Sequence, residues 1–283
     1  MRPTWLIEAD VHGDEAAPLL EEIRRQGMAG EVVPHQALRT GSVLVVGGQP
    51  MAPEACALGY GAFPFARQIQ LHRRWVPGAW CSAKNLDCAA YFAYFGHYLL
   101  NRHYAIMPGA EAIRQRDWLF SVFGRGERVF ARPTSCHKLF AGRCIDRESF
   151  AAGLSPTRYD PKTLVVFAAP RPIEREWRLV VVGDRVVAGS QYAVHGERAI
   201  APDCPLVVRE YAESMLTEVR WRPDPAFMLD VCESAGQFWL VELNSFRGSW
   251  LYRCDLSVVV AAASELAEQV WEQSREVARP EWA

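Results

Sequence analysis

The sequence has no apolar run that approaches the roughly 20 residues needed to cross a lipid bilayer. Its first residues, MRPTWLIEADVHGDE, include acidic side chains too early for a secretory signal. The chain also has no large excess of either sign of charge, because its net charge is −2 over 283 residues, and its basic residues are scattered. These absences argue against a membrane or nucleic-acid partner and predict a cytoplasmic location.

Several motifs of metal-binding and nucleophilic enzymes are also missing. No two cysteines form a C-x-x-C pair, so the spacing of a zinc ribbon is absent and free, buried thiols are expected. The eight cysteines are Cys56, Cys81, Cys88, Cys136, Cys144, Cys204, Cys232 and Cys254. There is no G-x-x-x-x-G-K-[ST] P-loop and no convincing Ser/His/Asp or Cys/His signature. The chemistry therefore has to work without a dedicated protein nucleophile.

The composition is that of a globular protein, and the predicted secondary structure changes near residue 125. Half of the residues are hydrophobic and 23% are charged. Strand, helix, strand and strand within the first 48 residues predict a small α/β unit with parallel pairing. From Arg128 onward, short strands rich in β-branched and aromatic residues predict antiparallel hairpins with helices between them. We therefore divide the chain into an α/β region, 1–125, and an α+β region, 126–283.

Two apolar strands near the C-terminus carry polar residues where the pattern favours apolar ones. Asp230 lies in FMLDVC, Glu242 and Asn244 lie in FWLVELN, and a turn at Gly236 separates the strands. Residues two apart on a strand share a face, and the turn would fold Asp230 back beside the other two. Carboxylate and amide oxygens suit Mg²⁺, so the three form a candidate metal site. A strand-edge Asp and a turn-starting Asn are the alternative.

Cations precede this hairpin along the chain. Arg132 stands at a strand end in VFARPTSCHKLFAG, and Lys138 lies in the small-residue loop that follows. A flexible loop with a cation is able to cover triphosphate oxygens. For each of the two cations, a solvated surface charge is the alternative.

The stretch LVVFAAPRPIEREWRLVVV adds a connection and a charged strand. Its prolines imply an irregular connection with exposed backbone, which adenine is able to hydrogen-bond. Glu176 and Arg178 are two apart on the following strand and share a face that suits a ribose hydroxyl and a phosphate. An exposed, salt-bridged face is the alternative for this pair.

The order of these elements resembles the ATP-grasp superfamily. It runs from a strand with a cation, through a glycine-bearing loop with a lysine, a hinge and an E-x-R strand, to an Asp twelve residues before E-x-N. More closely, VFARPTSCHKLFAG, EWRLVVVGDRVVAGSQY and VELNSFRGSWLYRCD resemble a bacterial and phage clade in which an Arg replaces the first nucleotide-binding Lys. The resemblance covers roughly residues 75–265.

The resemblance implies both a fold and a reaction. The fold is α+β, with two α+β subdomains whose antiparallel sheets grip Mg-ATP, preceded by a small α/β pre-ATP-grasp domain. The reaction activates a carboxylate as an acylphosphate and joins it to an amine or similar nucleophile, with release of ADP and phosphate. Such phosphoryl transfer depends on positioning and charge neutralisation, which agrees with the missing nucleophile signature.

The resemblance also implies roles for single residues. Many members have an Arg two residues before the metal Asp, where this chain has Met228, so Arg178 or Arg253 would supply the missing catalytic charge. The other implied roles are phosphate binding by Arg132, Lys138 and Arg178, adenine contacts from the backbone of Val166, Phe167, Ala168 and Ala169, ribose binding by Glu176, and Mg²⁺ binding by Asp230, Glu242 and Asn244.

The segment SFRGSWLYRCD directly follows the metal ligands and is expected to face the substrates. Arg247 and Arg253 suit a substrate carboxylate, and Ser249 and Tyr252 suit further hydrogen bonds. Pairing of Arg253 with Asp255 at a helix start is the alternative for that residue.

The predicted function is an ATP-dependent ligase for small-molecule or peptide carboxylates and amines. A phosphotransferase on the same scaffold and a nucleotide-binding protein without turnover are the alternatives. The sequence leaves both substrates unidentified, and a homodimer is the base-rate expectation for the assembly.

Overall fold

The computed structural model of the chain describes residues 1–9, 13–38, 43–72, 74–137, 139–154 and 160–277. Lys138, which we predict to hold phosphate, lies outside the described residues. All eight cysteines are free thiols, as predicted. Among the described helices, none combines the length and the apolar character that a membrane span needs.

The N-terminal part of the chain is built on a parallel sheet. Its elements are β1 Thr4–Glu8, a 3-10 turn Gly13–Glu15, α1 Ala16–Arg25, β2 Gly30–Val33, a 3-10 turn His35–Leu38, β3 Val45–Val46, β4 Gln49–Pro50, β5 Cys56–Tyr60, α2 Phe63–His72 and β6 Val76–Gly78. Strands β2, β1, β5 and β6 pair in that order, all in parallel, while β3 and β4 form a separate antiparallel pair. Parallel neighbours need crossover connections, and α1 and α2 lie in two of them. The predicted parallel pairing is confirmed for β1 and β2, whereas the strand predicted in GSVLVVGG forms β3 of the antiparallel pair instead.

The middle of the chain forms an antiparallel sheet. Its elements are α3 Cys88–Phe95, a 3-10 turn Gly96–Tyr98, β7 Tyr104–Pro108, α4 Gly109–Arg114, α5 Arg116–Phe123, β8 Arg128–Pro133, β9 Arg143–Asp146, α6 Phe150–Gly153 and β10 Leu164–Ala168. The strands pair in the order β7–β10–β8–β9. Because β7 precedes residue 125 and pairs with β10, this sheet starts before the boundary that we place there. The division itself stays a prediction.

The C-terminal part forms a larger antiparallel sheet. Its elements are β11 Arg175–Val182, β12 Arg185–Val194, β13 Glu197–Ala201, α7 Leu206–Glu218, β14 Ala226–Ser234, β15 Gln237–Ser245, a 3-10 turn Phe246–Gly248 and α8 Leu256–Val277. The strands pair in the order β13–β12–β11–β14–β15. Ala235 and Gly236, between β14 and β15, have φ values of 52° and 71°. Two positive φ values are the geometry of a tight hairpin turn, which fixes the register of the two strands.

The larger sheet is covered on both faces, and this decides where its polar residues lie. Trp177 and Leu179 of β11 pack on one face with residues of α3 and α7. Val180 and Met228 pack on the other face with α8 and with the N-terminal strands β1 and β5. Met228 is fully buried there among apolar side chains. Because side chains alternate along a strand, Arg178 lies on the face of Val180, next to this second layer.

Asp224, just before β14, supplies a pH-dependent contact that can be tested. One of its carboxylate oxygens accepts a hydrogen bond from the Ser82 backbone N–H at 2.8 Å. Burial raises the pKa of Asp224 to about 6, although that hydrogen bond and Arg247 act against the rise. Between the usual aspartate pKa of 3.8 and about 6, the folded protein therefore binds more protons than the unfolded chain.

Stability is accordingly expected to fall as the pH rises through this interval. Asp224→Asn keeps an acceptor for Ser82 but removes the titration. The difference in the free energy of unfolding, variant minus wild type, should therefore rise by about 2 kcal/mol between pH 4 and pH 6.5. Urea unfolding at several pH values measures the difference. Asp184→Asn, at a side chain that is 79% exposed, is the control. Parallel curves for wild type and Asp224→Asn would contradict the shifted titration.

Candidate active site

Three polar side chains meet on the hairpin of β14 and β15. Asp230 lies opposite Glu242 in the strand register, and Asn244 lies two residues further along β15. The Asn244 amide donates from Nδ2 to Asp230 Oδ2 at 3.1 Å and to Glu242 Oε1 at 2.8 Å. Asp230 is fully buried and Asn244 nearly so. The predicted juxtaposition is therefore confirmed, while the role of the three residues as metal ligands stays a prediction.

Asp230 forms a buried ion pair with Arg178, its neighbour across β11 and β14. The guanidinium donates from Nε to Oδ1 at 2.8 Å and from Nη2 to Oδ2 at 2.7 Å. Its third nitrogen, Nη1, donates to the Trp250 carbonyl at 3.3 Å. Burial, the largest single influence, lowers the pKa of Arg178, but the charge and hydrogen bonds of Asp230 together with Tyr252 and Glu242 outweigh it, and the pKa is raised. A bidentate pair of this kind fixes both side chains.

Glu242 is paired with an arginine from the other antiparallel sheet. Arg132, on β8, donates from Nη2 to Glu242 Oε2 at 2.7 Å and from Nη1 to the Val241 carbonyl at 3.4 Å. Both side chains are partly exposed, at 14% and 15%. The contact joins the two antiparallel sheets at the edge of the cleft between them.

Glu176 lies beside these ion pairs under two tyrosines. The Tyr192 hydroxyl donates to Glu176 Oε2 at 2.7 Å. The rings of Tyr192 and Tyr252 stack at 5.4 Å, and Arg178 Cζ lies 5.2 Å from the centre of the Tyr252 ring. Burial raises the pKa of Glu176, and the charges of Asp230 and Glu242 add to the rise. This carboxylate is placed to accept hydrogen bonds from a ligand in the cleft.

Three adjoining cavities connect these residues. A cavity of 420 Å³ lies between the two antiparallel sheets, with Arg132, Glu176 and Glu242 in its wall. It shares Glu176 and Tyr192 with a second cavity of 330 Å³. A third cavity of 670 Å³ shares Arg198, Trp250 and Tyr252 with the second. Volumes of this size suit a nucleotide and a further substrate in continuous space.

The adenine contacts that we predict for Val166, Phe167 and Ala168 stay a prediction, and the pairing of their strand weighs against them. These residues are fully buried in β10, the strand that pairs with β7 on one side and β8 on the other. Their backbone groups are therefore used by the sheet and are not available to a base. Ala169 lies after the strand and lines a cavity of 340 Å³, so its assignment stays open.

The predicted substrate residues fall into two groups. Tyr252 and Arg253 line the 670 Å³ cavity. Arg247 is instead buried, with its Nη1 donating to the Gly61 carbonyl at 3.1 Å, and Ser249 accepts a hydrogen bond from the Tyr60 hydroxyl through its carbonyl at 2.6 Å. Arg247 and Ser249 thus contact the N-terminal region, and our interpretation of all four residues as one substrate site needs correction.

The contacts of Arg253 do not match its alternative interpretation, which is pairing with Asp255. The Asp255 carboxylate accepts hydrogen bonds from the backbone N–H groups of Ser257 and Val258, at 2.9 Å and 3.4 Å, and so caps α8. Within the described ranges no ion pair joins Arg253 to Asp255. The Arg253 backbone N–H donates to Ser190 Oγ at 3.2 Å. The guanidinium is exposed at the wall of the cavity.

The donor set on the hairpin fits a hard divalent cation. Asp230, Glu242 and Asn244 offer carboxylate and amide oxygens on one face, which are the ligands that Mg²⁺ prefers. In the part of the chain that the structure describes, no group of three or more His, Cys, Asp or Glu side chains is placed to hold a metal ion. The third oxygen ligand would therefore be Asn244 Oδ1, which faces the two carboxylates when the amide is turned over from the orientation in which Nδ2 donates to them.

Two residues near the site escape sequence reasoning. Tyr192 holds Glu176, and Glu15 accepts backbone hydrogen bonds from Leu251 and Tyr252. No motif marks either residue, because their partners are far away in sequence or belong to the backbone.

Comparisons with known proteins agree with this geometry. A sequence profile described as ATP-grasp domain, R2K clade family 2, matches residues 112–262, which is more than half of the chain. No curated protein sequence matches significantly.

Similar solved structures cover nearly the whole chain. The ATP-grasp ligase PsnB with a minimal precursor has 13% identity and a TM-score of 0.63, over 94% of this chain and 100% of that chain. D-cycloserine synthetase DcsG has 15% identity and a TM-score of 0.60, over 95% and 99%. D-alanyl-alanine synthetase A from Vibrio cholerae O1 biovar eltor str. N16961 has 11% identity and a TM-score of 0.57, over 96% and 98%. At these identities the likeness shows the fold, and the expected ATP-grasp architecture is confirmed.

Proposed function

The chain belongs to the ATP-grasp family, R2K clade, and from this premise we propose that it is an ATP-dependent ligase. It would activate a carboxylate as an acylphosphate and join it to an amine or similar nucleophile, with release of ADP and phosphate. One observation carries the proposal. Two carboxylates and an amide share one face of the β14–β15 hairpin, Glu242 lies in the wall of the cleft between the two antiparallel sheets, and an arginine accompanies each carboxylate.

In this proposal the nucleotide occupies the 420 Å³ cavity. Arg132 binds phosphate oxygens from β8, and Glu176 accepts hydrogen bonds from the ribose. The connection after β10, residues 169–173, replaces Val166–Ala168 as the backbone edge for adenine. Asp230, Glu242 and Asn244 hold Mg²⁺, which neutralises charge on the phosphate oxygens when bound.

The residues of the chain then position the reacting groups. Arg178 is held by Asp230 and by the Trp250 carbonyl. Its charge is therefore oriented before the reaction, and no reorganisation energy is needed when the transition state forms. The substrate carboxylate approaches through the 330 Å³ cavity beside Tyr192 and Tyr252. A carboxylate oxygen attacks the γ-phosphorus and ADP leaves. The amine then attacks the acyl carbon, loses a proton, and inorganic phosphate leaves.

The substrate class is proposed as small-molecule or peptide. PsnB is described in complex with a precursor peptide, which supports peptides among the candidates. The 670 Å³ cavity, with Arg253 in its wall, is large enough for more than one amino-acid unit.

The test is Mg-ATP turnover against a pool of amino acids and short peptides, with products identified by mass. ADP together with a mass equal to acid plus amine minus water is the expected result. A substrate that gains only a phosphoryl group would show a phosphotransferase instead. Nucleotide binding without turnover against the whole pool would favour the non-catalytic alternative.

A further inference from the structure

A carboxylate from the N-terminal region holds the backbone of the segment that follows the hairpin. Glu15 ends the 3-10 turn just before α1. Its Oε1 accepts a hydrogen bond from the Tyr252 N–H at 2.8 Å, and its Oε2 accepts one from the Leu251 N–H at 3.2 Å. Two backbone donors are thus satisfied by one side chain more than 230 residues away in sequence. Hydrogen bonds to a charged acceptor are the stronger kind, so this contact restrains the segment.

The held segment has a backbone conformation that needs support. Tyr252 has a φ of 53°, in the left-handed region. For a residue other than glycine this conformation costs roughly 1–2 kcal/mol, and a tyrosine lacks the short polar side chain with which Asn or Asp compensates. The two hydrogen bonds to Glu15 offset this cost. Without them the segment would be free to relax towards a more common conformation.

The left-handed turn places Tyr252 in the wall of the 330 Å³ cavity, where its ring meets Tyr192. The ring stacks on Tyr192 with an angle of 11° between the ring planes. Tyr192 in turn donates its hydroxyl to Glu176, the carboxylate that the proposed function assigns to the ribose. A continuous set of contacts therefore runs from Glu15 to Tyr252, to Tyr192 and to Glu176.

We infer that Glu15 is a positioning residue for nucleotide recognition. It fixes the turn at Leu251 and Tyr252, the Tyr252 ring fixes Tyr192, and the Tyr192 hydroxyl sets the place of Glu176. The part of the chain that forms the parallel sheet, residues 1–78, thereby takes part in recognising the ribose, although none of its described residues lines the 420 Å³ cavity. This inference rests on the proposed function, because it needs a nucleotide in that cavity with its ribose at Glu176.

A purely structural role is the competing explanation, and ribose discrimination separates the two. If Glu15 only held the N-terminal region in place, its loss would lower the affinity for all nucleotides equally. If Glu15 positions Glu176, its loss should selectively weaken nucleotides that carry ribose hydroxyls. The ratio of the dissociation constants for Mg-2′,3′-dideoxy-ADP and Mg-ADP is therefore the informative quantity, and it requires no knowledge of the acid or the amine.

The experiment measures both constants by titration calorimetry in wild type, Glu15→Ala, Glu15→Gln and Glu176→Gln. The wild type should prefer Mg-ADP by at least about tenfold, because a site built to bind hydroxyls is left with unpaired groups when they are missing. Glu15→Ala should reduce this preference to below about threefold, and Glu15→Gln, which keeps one acceptor oxygen, should lie between. Glu21→Gln, an exposed glutamate on α1, is the matched control and should keep the wild-type ratio.

A double variant completes the test. Glu15→Ala combined with Glu176→Gln should show the same preference as Glu176→Gln alone, because both changes act on one set of contacts. A wild-type ratio in both Glu15 variants would overturn the inference and leave the proposed function standing. A wild-type ratio in Glu176→Gln would overturn the ribose assignment and the inference with it. A wild-type protein that bound neither nucleotide would overturn the proposed function itself.

Discussion

Glu242→Gln is expected to lower ATP turnover at least about a thousandfold, because it removes a charge and an oxygen ligand where charge develops in phosphoryl transfer. The side chain keeps its size, but its new amide group would also direct a donor at Arg132 or Asn244, which both donate to Glu242. Steady-state formation of ADP, with the acid and amine found in the turnover screen, measures the effect.

The fold should survive this change. Glu242 and Arg132 lie at the edge of the cleft, so the guanidinium can turn to solvent when its partner loses the charge. We expect a loss of about 1–2 kcal/mol in the free energy of unfolding, as for a partly exposed charged hydrogen bond. Circular dichroism and urea unfolding check that the inactive variant is folded.

A glutamate on the same hairpin provides the control. Glu233, on β14, pairs with Arg175 at 3.2 Å, away from the cleft. Glu233→Gln should retain wild-type turnover. Normal activity in Glu242→Gln would contradict the assignment of Glu242 as a metal ligand. An equal loss of turnover in Glu233→Gln would mean that activity depends on the net charge of the hairpin and not on Glu242 itself.

Part of the hairpin site was predictable because its geometry is local. A tight turn starts the strand register, and a period of two puts Glu242 and Asn244 on one face. The uninterrupted register would set Asp230 opposite Val241, and a bulge between Asp230 and Val231, which the sequence does not mark, brings Asp230 opposite Glu242. A carboxylate in a buried strand is also a strong signal, since burial without a partner is costly.

The first residue of the exposed backbone after β10 could not be predicted from the sequence, because strand ends depend on long-range pairing. The run LVVFAA does not reveal that β7 and β8 flank β10 as far as Ala168. With partners on both sides the strand continues to that residue, and the exposed backbone begins only after it. The prolines marked the irregular connection correctly but not its first residue.

The contacts of the N-terminal region were not predictable from the sequence. The Glu15 carboxylate accepts from the Tyr252 backbone N–H, and the Gly61 backbone carbonyl accepts from Arg247. Each contact has a backbone group as one partner, so it leaves no pair of matching side chains in the sequence. The same holds for Arg247, whose position after the predicted metal ligands suggested a substrate role. Its guanidinium donates to the Gly61 carbonyl because the N-terminal sheet packs against this end of the larger sheet.

Arg178→Met is expected to lower the free energy of unfolding by about 3–5 kcal/mol, the cost of removing one partner of a buried ion pair. Arg178 and Asp230 are 5% and 0% exposed, and the guanidinium satisfies both carboxylate oxygens. Methionine fills similar space but leaves that carboxylate with a buried charge and without its bidentate partner. Urea unfolding at pH 7 measures the loss.

Removing the charge of Asp230 as well should restore much of this stability. In the double variant Arg178→Met with Asp230→Asn, no charge remains buried at the pair, so at least about 2 kcal/mol should return. Arg175→Met is the control on the same strand: its side chain is 47% exposed, and its ion pair with Glu233 should contribute less than about 1 kcal/mol. If Arg178→Met cost no more than Arg175→Met, the buried pair would not be what holds Asp230 in place, and Arg178 would be free to move during the reaction.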